Sequence, residues 1–313
     1  MEEGHLPVLA EEVMTILSPR PGSLQIDGTL GGGGHTERIL EASTPDGRVL
    51  GLDADPAAVE RVKVRLARFG DRLVVRQADF RDIGTVAPAA GFTAVDGLLL
   101  DLGLSSYQLV DAERGFGFRT GGPLDMRFDT SRGIPAAELI ADLDTAALTS
   151  LFRRYGEEPR AGRIARAIVR ERAATPIDTA ERLAAVVERA APAAPGRRRI
   201  HPATRVFQAL RIAVNDELGA LDAALTAAMD LLRPGGRLVV LSYHSLEDRI
   251  VKRFVAAERK GCICPPVIPV CVCGRSPRLR VLGPQPVVPT ADEVAANPRA
   301  RSARMRAAER LAA

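Results

Sequence analysis

Short apolar runs alternate with longer segments of helical periodicity in the first third of the chain. Each run is rich in Leu, Val or Ile and ends in a polar or charged residue, which is typical of a buried strand. The segment 56–69 is the clearest helix between two runs, because proline occupies its first turn and Gly70 follows it. Strands that alternate with helices predict a parallel, doubly wound α/β sheet. The predicted strands are 24–27, 49–53, 73–77, 95–101 and, much later, 237–243.

The long gap before the last predicted strand indicates an insertion. A crossover between parallel strands needs only about thirty residues. A predicted helix at 206–232 and the turn Arg233-Pro234-Gly235-Gly236 account for only the end of the gap. We therefore expect a sheet domain in two parts, 1–109 and 212–313, around an inserted segment, 110–211.

The inserted segment begins with a loop rich in glycine and phenylalanine, 114–129, and continues as helices. A long loop after a central strand lies where doubly wound folds bind substrate. In the helical half, the apolar positions 164, 165, 168 and 169 share one helix face and alternate with arginines. This pattern predicts a small helical domain. Its basic face either meets nucleic acid, or the segment is an ordinary amphipathic helix that packs on the core.

A glycine-rich turn follows the first predicted strand and opens a helix. Consecutive glycines let backbone N–H groups approach a ligand closely, and Asp53 ends the next strand, where a carboxylate binds ribose hydroxyls. Thr36 stands where a dinucleotide fingerprint needs its third glycine, which favours a nucleoside cofactor without phosphates. We expect S-adenosylmethionine near Gly33, Gly34, His35 and Asp53. A glycine turn without a ligand is the alternative.

Asp101 ends the fourth predicted strand, so its carboxylate is expected in the crevice beside the cofactor. Methylation of an exocyclic amine needs such a group. The nitrogen lone pair is delocalised into the ring, and an acceptor for the N–H helps to free it. Asp101 is therefore the predicted catalytic residue, with a purely structural role as the alternative. Phe80, after the third strand, offers a ring face for adenine.

Candidate substrate residues lie in the loop and after the last predicted strand. Two phenylalanines offer flat faces to an extruded base, flanking glycines allow closure, and two arginines can reach phosphates. Alternatively, the rings anchor the loop to a core. His244 either orients the base or caps the following helix. The candidate substrate residues are Phe116, Phe118, Arg119, Asp125, Arg127 and His244.

Composition adds a few constraints. The chain has 313 residues, is 46% hydrophobic and carries a formal net charge of +4, with arginine clusters at 197–199 and 299–310, which suits a polyanionic partner. No apolar segment is long enough to span a bilayer and the acidic N-terminus is unlike a signal peptide, so we expect a cytoplasmic protein. The four cysteines form two C-x-C pairs, a tighter spacing than most zinc ligands have, so spacing alone assigns no metal. They are Cys262, Cys264, Cys271 and Cys273.

Several longer motifs occur in order from one end of the chain to the other. They are His5-Leu6-Pro7-Val8-Leu9, Gly33-Gly34-His35, Leu100-Asp101-Leu102-Gly103, Gly122-Pro123-Leu124-Asp125-Met126-Arg127, Tyr155-Gly156-Glu157-Glu158, His201-Pro202-Ala203-Thr204-Arg205, Asn215-Asp216-Glu217-Leu218 and His244-Ser245-Leu246-Glu247-Asp248-Arg249. Together they resemble the MraW (RsmH) family of 16S rRNA (cytosine-N4) methyltransferases.

The resemblance implies a class I S-adenosylmethionine-dependent methyltransferase fold, with a Rossmann-like doubly wound sheet and an inserted small helical domain. It also implies a cytoplasmic enzyme that methylates N4 of one cytidine in the decoding centre of small-subunit rRNA. The oligomeric state is left open. The implied cofactor residues are Gly33, Gly34, His35, Asp53, Phe80, Asp101 and Gln108, of which only Gln108 comes from the resemblance alone.

Three other functions compete with this one. The first is an RNA-binding ribosome-assembly factor without catalysis, and the second is a methyltransferase that acts on another nucleic acid. The third, a nicotinamide oxidoreductase, is disfavoured by the missing third glycine. Intact Asp53 and Asp101 argue against the assembly factor.

Overall fold

The computed structural model describes residues 7–118, 121–192, 201–265 and 267–312. Within these residues, seven strands form one mixed sheet in the order β3-β2-β1-β4-β5-β7-β6. The strands are β1 (Leu24–Asp27), β2 (Arg48–Asp53), β3 (Leu73–Gln77), β4 (Val95–Asp101), β5 (Leu232–Ser242), β6 (Leu279–Val281) and β7 (Arg304–Arg310). Neighbouring strands among β1 to β5 are parallel, whereas β7 is antiparallel to β5 and β6. The doubly wound sheet is therefore confirmed.

Helices follow most of the strands and fill the chain between β4 and β5. None of the helices in the described residues is long and apolar enough to cross a membrane. The α-helices are α1 (Ala10–Leu17), α2 (Gly34–Ala42), α3 (Pro56–Arg65), α4 (Ile83–Ala89), α5 (Ser106–Val110), α6 (Ala136–Asp142), α7 (Thr145–Gly156), α8 (Ala161–Ala174), α9 (Ala180–Ala190), α10 (Ala203–Asn215), α11 (Glu217–Leu231), α12 (Ser245–Lys260) and α13 (Ala291–Ala296).

The central strand β4 shows why the parallel strands are apolar throughout. Leu98, Leu99 and Leu100 are all fully buried, although successive side chains of a strand point to opposite faces of the sheet. A parallel sheet is covered on both faces by the helices that connect its strands, so both sets of side chains enter a core. The four early strands agree with the sequence-based prediction for the same reason.

The chain divides into two compact units. The sheet unit consists of Met1–Gly103 and Leu218–Ala313, and the helical unit is Leu104–Glu217. The helical unit extends beyond the predicted insertion at both ends. Leu104 packs against the core of the helical unit, and Glu217 forms an ion pair with Arg211 at 2.7 Å.

The predicted helix 206–232 is two helices in the structure. Asp216 separates α10 from α11 and adopts a left-handed conformation with φ 48°. Such a φ interrupts a right-handed helix, and residues other than glycine adopt it rarely. The apolar periodicity continues across the break, so the sequence pattern did not reveal it.

The predicted arginine cluster at 299–310 contains a strand that the sequence pattern did not indicate. Residues 304–310 form β7, which lies inside the sheet between β5 and β6. Arg306 is only 9% exposed, and its Nε donates to Asp248 Oδ1 at 2.7 Å. The charge of this arginine is therefore neutralised within the fold. The other predicted arginine cluster, 197–199, lies outside the described residues.

Candidate active site

The predicted glycine turn connects β1 to α2 at the carboxyl end of the parallel strands. The N–H of Gly28 donates to the carbonyl oxygen of Leu99 on β4 at 2.9 Å. A Cβ at Gly28 would lie 2.6 Å from Leu100 Cδ2, so a larger residue would displace either the turn or the side chain of Leu100. Gly33 has φ +79°, which a residue with a side chain rarely adopts, and α2 begins directly after it. The turn thus presents a helix N-terminus at the edge where doubly wound sheets bind ligands.

Asp53 lies beside this turn, at the end of β2. Its Oδ2 accepts a hydrogen bond from the N–H of Gly31 at 2.8 Å, and its Oδ1 accepts one from the N–H of Asp55 at 2.9 Å. Burial raises the pKa of Asp53 to about 6, although the two N–H donors oppose this shift. A carboxylate has about four acceptor positions, so two backbone donors leave capacity for a pair of ribose hydroxyls.

Phe80 lies close to the same turn, in the short helical segment Phe80–Asp82 that follows β3. Its Cβ is 3.4 Å from the position that a Cβ of Gly28 would occupy. Asp79 caps this segment by accepting the N–H of Arg81 at 2.9 Å, so its carboxylate holds the loop. The structure therefore brings together three predicted cofactor elements: the glycine turn, Asp53 and Phe80.

Asp101 ends β4 and is held by a residue that the sequence-based prediction did not select. The hydroxyl of Tyr243, directly after β5, donates to Asp101 Oδ1 at 2.7 Å. Burial, together with the charge of Asp101, raises the pKa of Tyr243 well above its usual value, so the phenol stays protonated and remains a donor. His35 Nε2 is 3.5 Å from Asp101 Oδ2. The two carboxylate oxygens of Asp101 therefore face different side chains, and only Tyr243 forms a hydrogen bond with one of them.

Asp27 and Thr29 are further site residues that the prediction missed. Asp27 is 1% exposed, accepts the hydroxyl of Thr36 at 2.6 Å, and has a raised pKa because of its burial. Thr29 Oγ1 accepts the N–H of Asp101 at 2.7 Å. These bonds tie the end of β1 to α2 and β4. The signal in the sequence is an aspartate directly before a glycine turn, which the end of a strand also explains.

Comparison with known proteins decides the family. The model of the MraW methylase family matches residues 2–311. The chain belongs to this family. It is 57% identical over 308 residues to the ribosomal RNA small subunit methyltransferase H of Thermomicrobium roseum, covering 98% of this chain and 94% of that relative. It is 53% identical over 311 residues to the protein of the same name from Geobacter sulfurreducens, covering 99% of this chain and 100% of that relative.

Membership of the MraW family confirms S-adenosylmethionine as the cofactor, and the site residues fit it. The cofactor carries a sulfonium and an ammonium cation, and the turn is bordered by three carboxylates, those of Asp27, Asp53 and Asp101. Neither ring nitrogen of His35 forms a hydrogen bond with any residue in the described ranges, although the ring is buried. Buried polar atoms without a partner in the protein are usual where a ligand supplies one.

Gln108 is a residue of the helical unit. Its Oε1 accepts the N–H of Ser105 at 3.0 Å, and its own N–H donates to Ser105 Oγ at 3.2 Å. This reciprocal pair is a capping box that stabilises the first turn of α5. The contact of Gln108 with the cofactor stays a prediction.

The predicted clamp, in which the two phenylalanine rings close over an extruded base, is not what the structure shows. Phe116 is 5% exposed and belongs to the core of the helical unit, where it stacks on Phe128 with ring centroids 5.6 Å apart. Phe118 is half-buried and stacks on His201 at 4.4 Å. The alternative, in which the rings anchor the loop to a core, is therefore the correct one for Phe116.

Asp125 and Arg127 form a pair instead of reaching outwards. Asp125 accepts two side-chain bonds from Arg127, from Nε at 2.8 Å and from Nη2 at 2.7 Å. Burial alone would raise the pKa of Asp125, but the bonds and charge of Arg127 lower it. The guanidinium of Arg127 is thus held against its own loop, and a contact of Arg127 with phosphates stays a prediction. Gly122 packs closely against the chain and so does not indicate a loop that is free to close. A Cβ at this position would lie 1.5 Å from the carbonyl oxygen of Ala112.

Two predicted substrate residues remain. Arg119 lies outside the described residues. His244 caps α12, since its Nδ1 accepts the N–H of Glu247 at 3.4 Å and Glu247 bonds back to the N–H of His244. This is the second of the two roles that the sequence left open for His244, and a contact with the substrate stays a prediction.

Proposed function

We propose that this protein transfers a methyl group from S-adenosylmethionine to N4 of a cytidine in the decoding centre of small-subunit rRNA, and that it does so in the cytoplasm. The names of the relatives support rRNA as the substrate, because the similarity covers nearly all of both chains. The cytidine and the decoding centre follow from the motif resemblance. The observation that carries the reaction type is the carboxylate of Asp101, which Tyr243 orients beside the glycine turn.

Asp101 is proposed as the acceptor for the exocyclic amine. S-adenosylmethionine supplies a methyl group already activated by its sulfonium, so no covalent nucleophile is required. Tyr243 occupies Oδ1 of Asp101, while Oδ2 points towards His35. A hydrogen bond from the amine to Asp101 favours a pyramidal nitrogen, whose lone pair is then free to attack. Tyr243 is a positioning residue in this proposal, because it acts through Asp101.

The helical unit contributes a basic helix face that supports RNA binding. Arg163, Arg166 and Arg170 lie on α8 at helical spacing, and all three side chains are exposed. Among the residues that the structure describes, none of the three forms an ion pair. Free guanidinium groups on one face suit phosphates of RNA, which position a substrate without reading its sequence.

The function is tested by nucleoside mass spectrometry of 16S rRNA from cells with and without the gene. We expect N4-methylated cytidine at the decoding centre to disappear without the gene. Wild-type protein should restore it, and so should the control Asp222→Asn, which changes an exposed residue of α11. Asp101→Asn should not restore it. An unchanged level of this nucleoside in the deleted strain would refute the assignment. Restoration by Asp101→Asn would remove Asp101 from catalysis.

A methylation assay with purified protein separates the competing functions. We expect methyl transfer to small-subunit rRNA or to the assembled subunit, and none to DNA. Transfer to DNA alone would favour a methyltransferase acting on another nucleic acid. Binding of the rRNA without any transfer would favour the non-catalytic assembly factor.

A further inference from the structure

The segment between α12 and β6 projects from the sheet unit without a core of its own. Four of its apolar side chains, those of Ile263, Val267, Val270 and Val272, are between 65% and 87% exposed. Such a segment buries too little apolar surface to offset the entropy of ordering its backbone. Some other interaction must therefore hold the described residues 261–265 and 267–278 in one conformation.

The two ends of this segment are held together by contacts between Glu258 and Arg278. The N–H of Arg278 donates to the carbonyl oxygen of Glu258 at 2.8 Å, and the side chains of the two residues form an ion pair. Gly261 packs against the returning chain so closely that a Cβ there would lie 2.4 Å from the carbonyl carbon of Ser276. The two ends thus meet, and the cysteines lie in the part that projects beyond them.

The four cysteine sulfurs converge at the centre of this projection. The Sγ of Cys271 is 3.5 Å from that of Cys262, 4.0 Å from that of Cys264 and 3.5 Å from that of Cys273. The Sγ atoms of Cys262 and Cys273 are 3.9 Å apart, and all four lie within 4.8 Å of one another. A zinc ion with four thiolates at about 2.3 Å in a tetrahedron would place the sulfurs about 3.8 Å apart. Four of the six sulfur–sulfur distances, from 3.5 to 4.0 Å, are close to this edge length, and the other two are at most 4.8 Å.

Backbone N–H groups point at these sulfurs as well. The N–H of Val272 donates to the Sγ of Cys264 at 3.4 Å, and the backbone N–H groups of Arg275 and Ile263 favour the charged form of Cys273. Donors of this kind stabilise the charge on thiolates and fix their direction, which is how the surroundings of a metal site support its ligands.

We propose that Cys262, Cys264, Cys271 and Cys273 bind one Zn²⁺ ion, which orders this segment. Binding releases the protons of the four thiols, and the site then carries a net charge of −2. Disulfides need sulfurs about 2.05 Å apart, and the four thiols are free. An iron–sulfur cluster distributes its thiolates over several irons and so spreads them more widely than 4.8 Å. A single Fe²⁺ fits the same tetrahedron, but zinc binds more tightly in the usual order of divalent metals.

The spacing of the cysteines along the chain does not by itself indicate a metal site. The fold shows why this short spacing still permits one. Each C-x-C pair is shorter than the usual zinc-binding turn. The second pair nevertheless lies against the first, so that the sulfurs of all four cysteines lie within 4.8 Å of one another. The site lies in a loop after α12 and requires none of the residues proposed for methyl transfer.

Metal analysis of the purified full-length protein tests the proposal. We expect about one zinc ion per chain by plasma mass spectrometry, and cobalt substituted for it should show the visible bands of tetrahedral thiolate coordination. The double variant Cys262→Ser, Cys271→Ser should lose the metal. The matched control Val270→Ser, Val272→Ser changes exposed residues of the same turn and should retain it.

Thiol reactivity of the wild-type protein provides a second measurement that does not depend on the folding of a variant. Zinc-bound thiolates should react slowly with a disulfide reagent until a chelator is added, after which four thiols should react. Four rapidly reacting thiols in protein that contains no zinc would overturn the proposal. One iron per chain in place of zinc would overturn it too. Neither measurement depends on methyl transfer, so failure here is distinct from failure of the proposed function.

Discussion

The glycine turn of the sheet unit and the described part of the loop 114–129 in the helical unit are both rich in glycine, but their glycines serve different purposes. In the turn, Gly31 presents its N–H to Asp53, and the chain opens into a helix at the ligand-binding edge. In the loop, Gly122 permits contact with the backbone of Ala112, which any side chain would prevent. Glycine in a segment therefore indicates either ligand approach or close chain packing, and only the neighbouring atoms distinguish the two.

The carboxylates of the two regions differ in the same way. Asp53 forms no ion pair with a cationic side chain of the described residues, and its burial raises its pKa to about 6. Asp125 is bonded twice to Arg127, and that arginine lowers its pKa despite burial. A carboxylate without a cationic partner keeps acceptor positions for the hydroxyls of a ligand, whereas a paired one stabilises its own loop. The comparison predicts that substitutions in the turn affect cofactor and turnover, and that substitutions in the loop affect stability.

Asp101→Asn should have the largest effect on turnover. The amide keeps the shape but removes the anionic acceptor, so the single-turnover rate should fall by on the order of 10²–10⁴, the usual range for general acid–base groups. RNA affinity should stay near that of the wild type, as should all properties of Asp222→Asn. Rapid-quench measurement of methyl transfer gives the rate. A wild-type rate in this variant would leave Asp101 with a structural role.

Phe116→Ala should act on stability instead. Removing a ring from the core of the helical unit should lower the free energy of unfolding by about 3–5 kcal/mol. Phe118→Ala should cost less, because that ring is half-buried. Guanidinium denaturation followed by circular dichroism measures both. If Phe116→Ala lost methylation but kept its full stability and cofactor affinity, the clamp hypothesis would regain its support.

The sequence alone predicted the features that follow from continuous apolar runs. The parallel strands β1 to β4, the glycine turn and Asp53 at a strand end were all predicted, because burial on both faces and ligand approach leave local signals. Tyr243 was not selected, since its bond to Asp101 joins residues that are distant in the chain.

The failures have a common physical origin. In β7, arginines and alanines replace the branched residues that mark a strand, and Arg306 is tolerated inside only because Asp248 pairs with it. The pairing of Arg127 with Asp125 likewise depends on side-chain geometry. Charges that are neutralised by a specific partner resemble free surface charges when only the sequence is read.

Asp53→Ala tests whether the carboxylate at the glycine turn of the sheet unit binds the cofactor. Loss of an acceptor from the two ribose hydroxyls should weaken S-adenosylmethionine binding by about 1.5–3 kcal/mol, the range for hydrogen bonds to a charged group. Isothermal titration calorimetry measures this affinity. Asp125→Ala is the contrasting variant, which should destabilise the loop and leave the affinity nearly unchanged. Equal effects of the two substitutions on affinity would contradict the distinction between the two carboxylates.

The pKa of Asp53 also predicts how cofactor affinity depends on pH. The ionised carboxylate is the form that accepts ribose hydroxyls, so affinity should be constant above pH of about 6 and fall about tenfold per unit well below it. The stability of the free protein should depend on pH in the opposite direction. Because burial raises the pKa in the folded state, stability falls as pH rises from about 4 to about 6. Calorimetry across this range with Asp53→Asn, which cannot ionise there, provides the control. An unchanged pH dependence in that variant would assign the titration to another group.

Arg166→Gln should have the smallest effect, and it tests whether the exposed face of α8 contacts RNA phosphates. Each lost phosphate contact reduces the slope of log affinity against log salt by about 0.7–0.9, which amounts to about fivefold in affinity near 0.15 M salt. The loss should be the same for different RNA sequences, because phosphate contacts carry no sequence information. Lys252→Gln, an exposed cation on α12, is the matched control and should leave the slope unchanged. Filter binding of small-subunit rRNA at several salt concentrations gives both slopes. If Arg166→Gln and Lys252→Gln have the same slope as the wild type, the basic face of α8 is a solvated surface and the RNA must bind elsewhere.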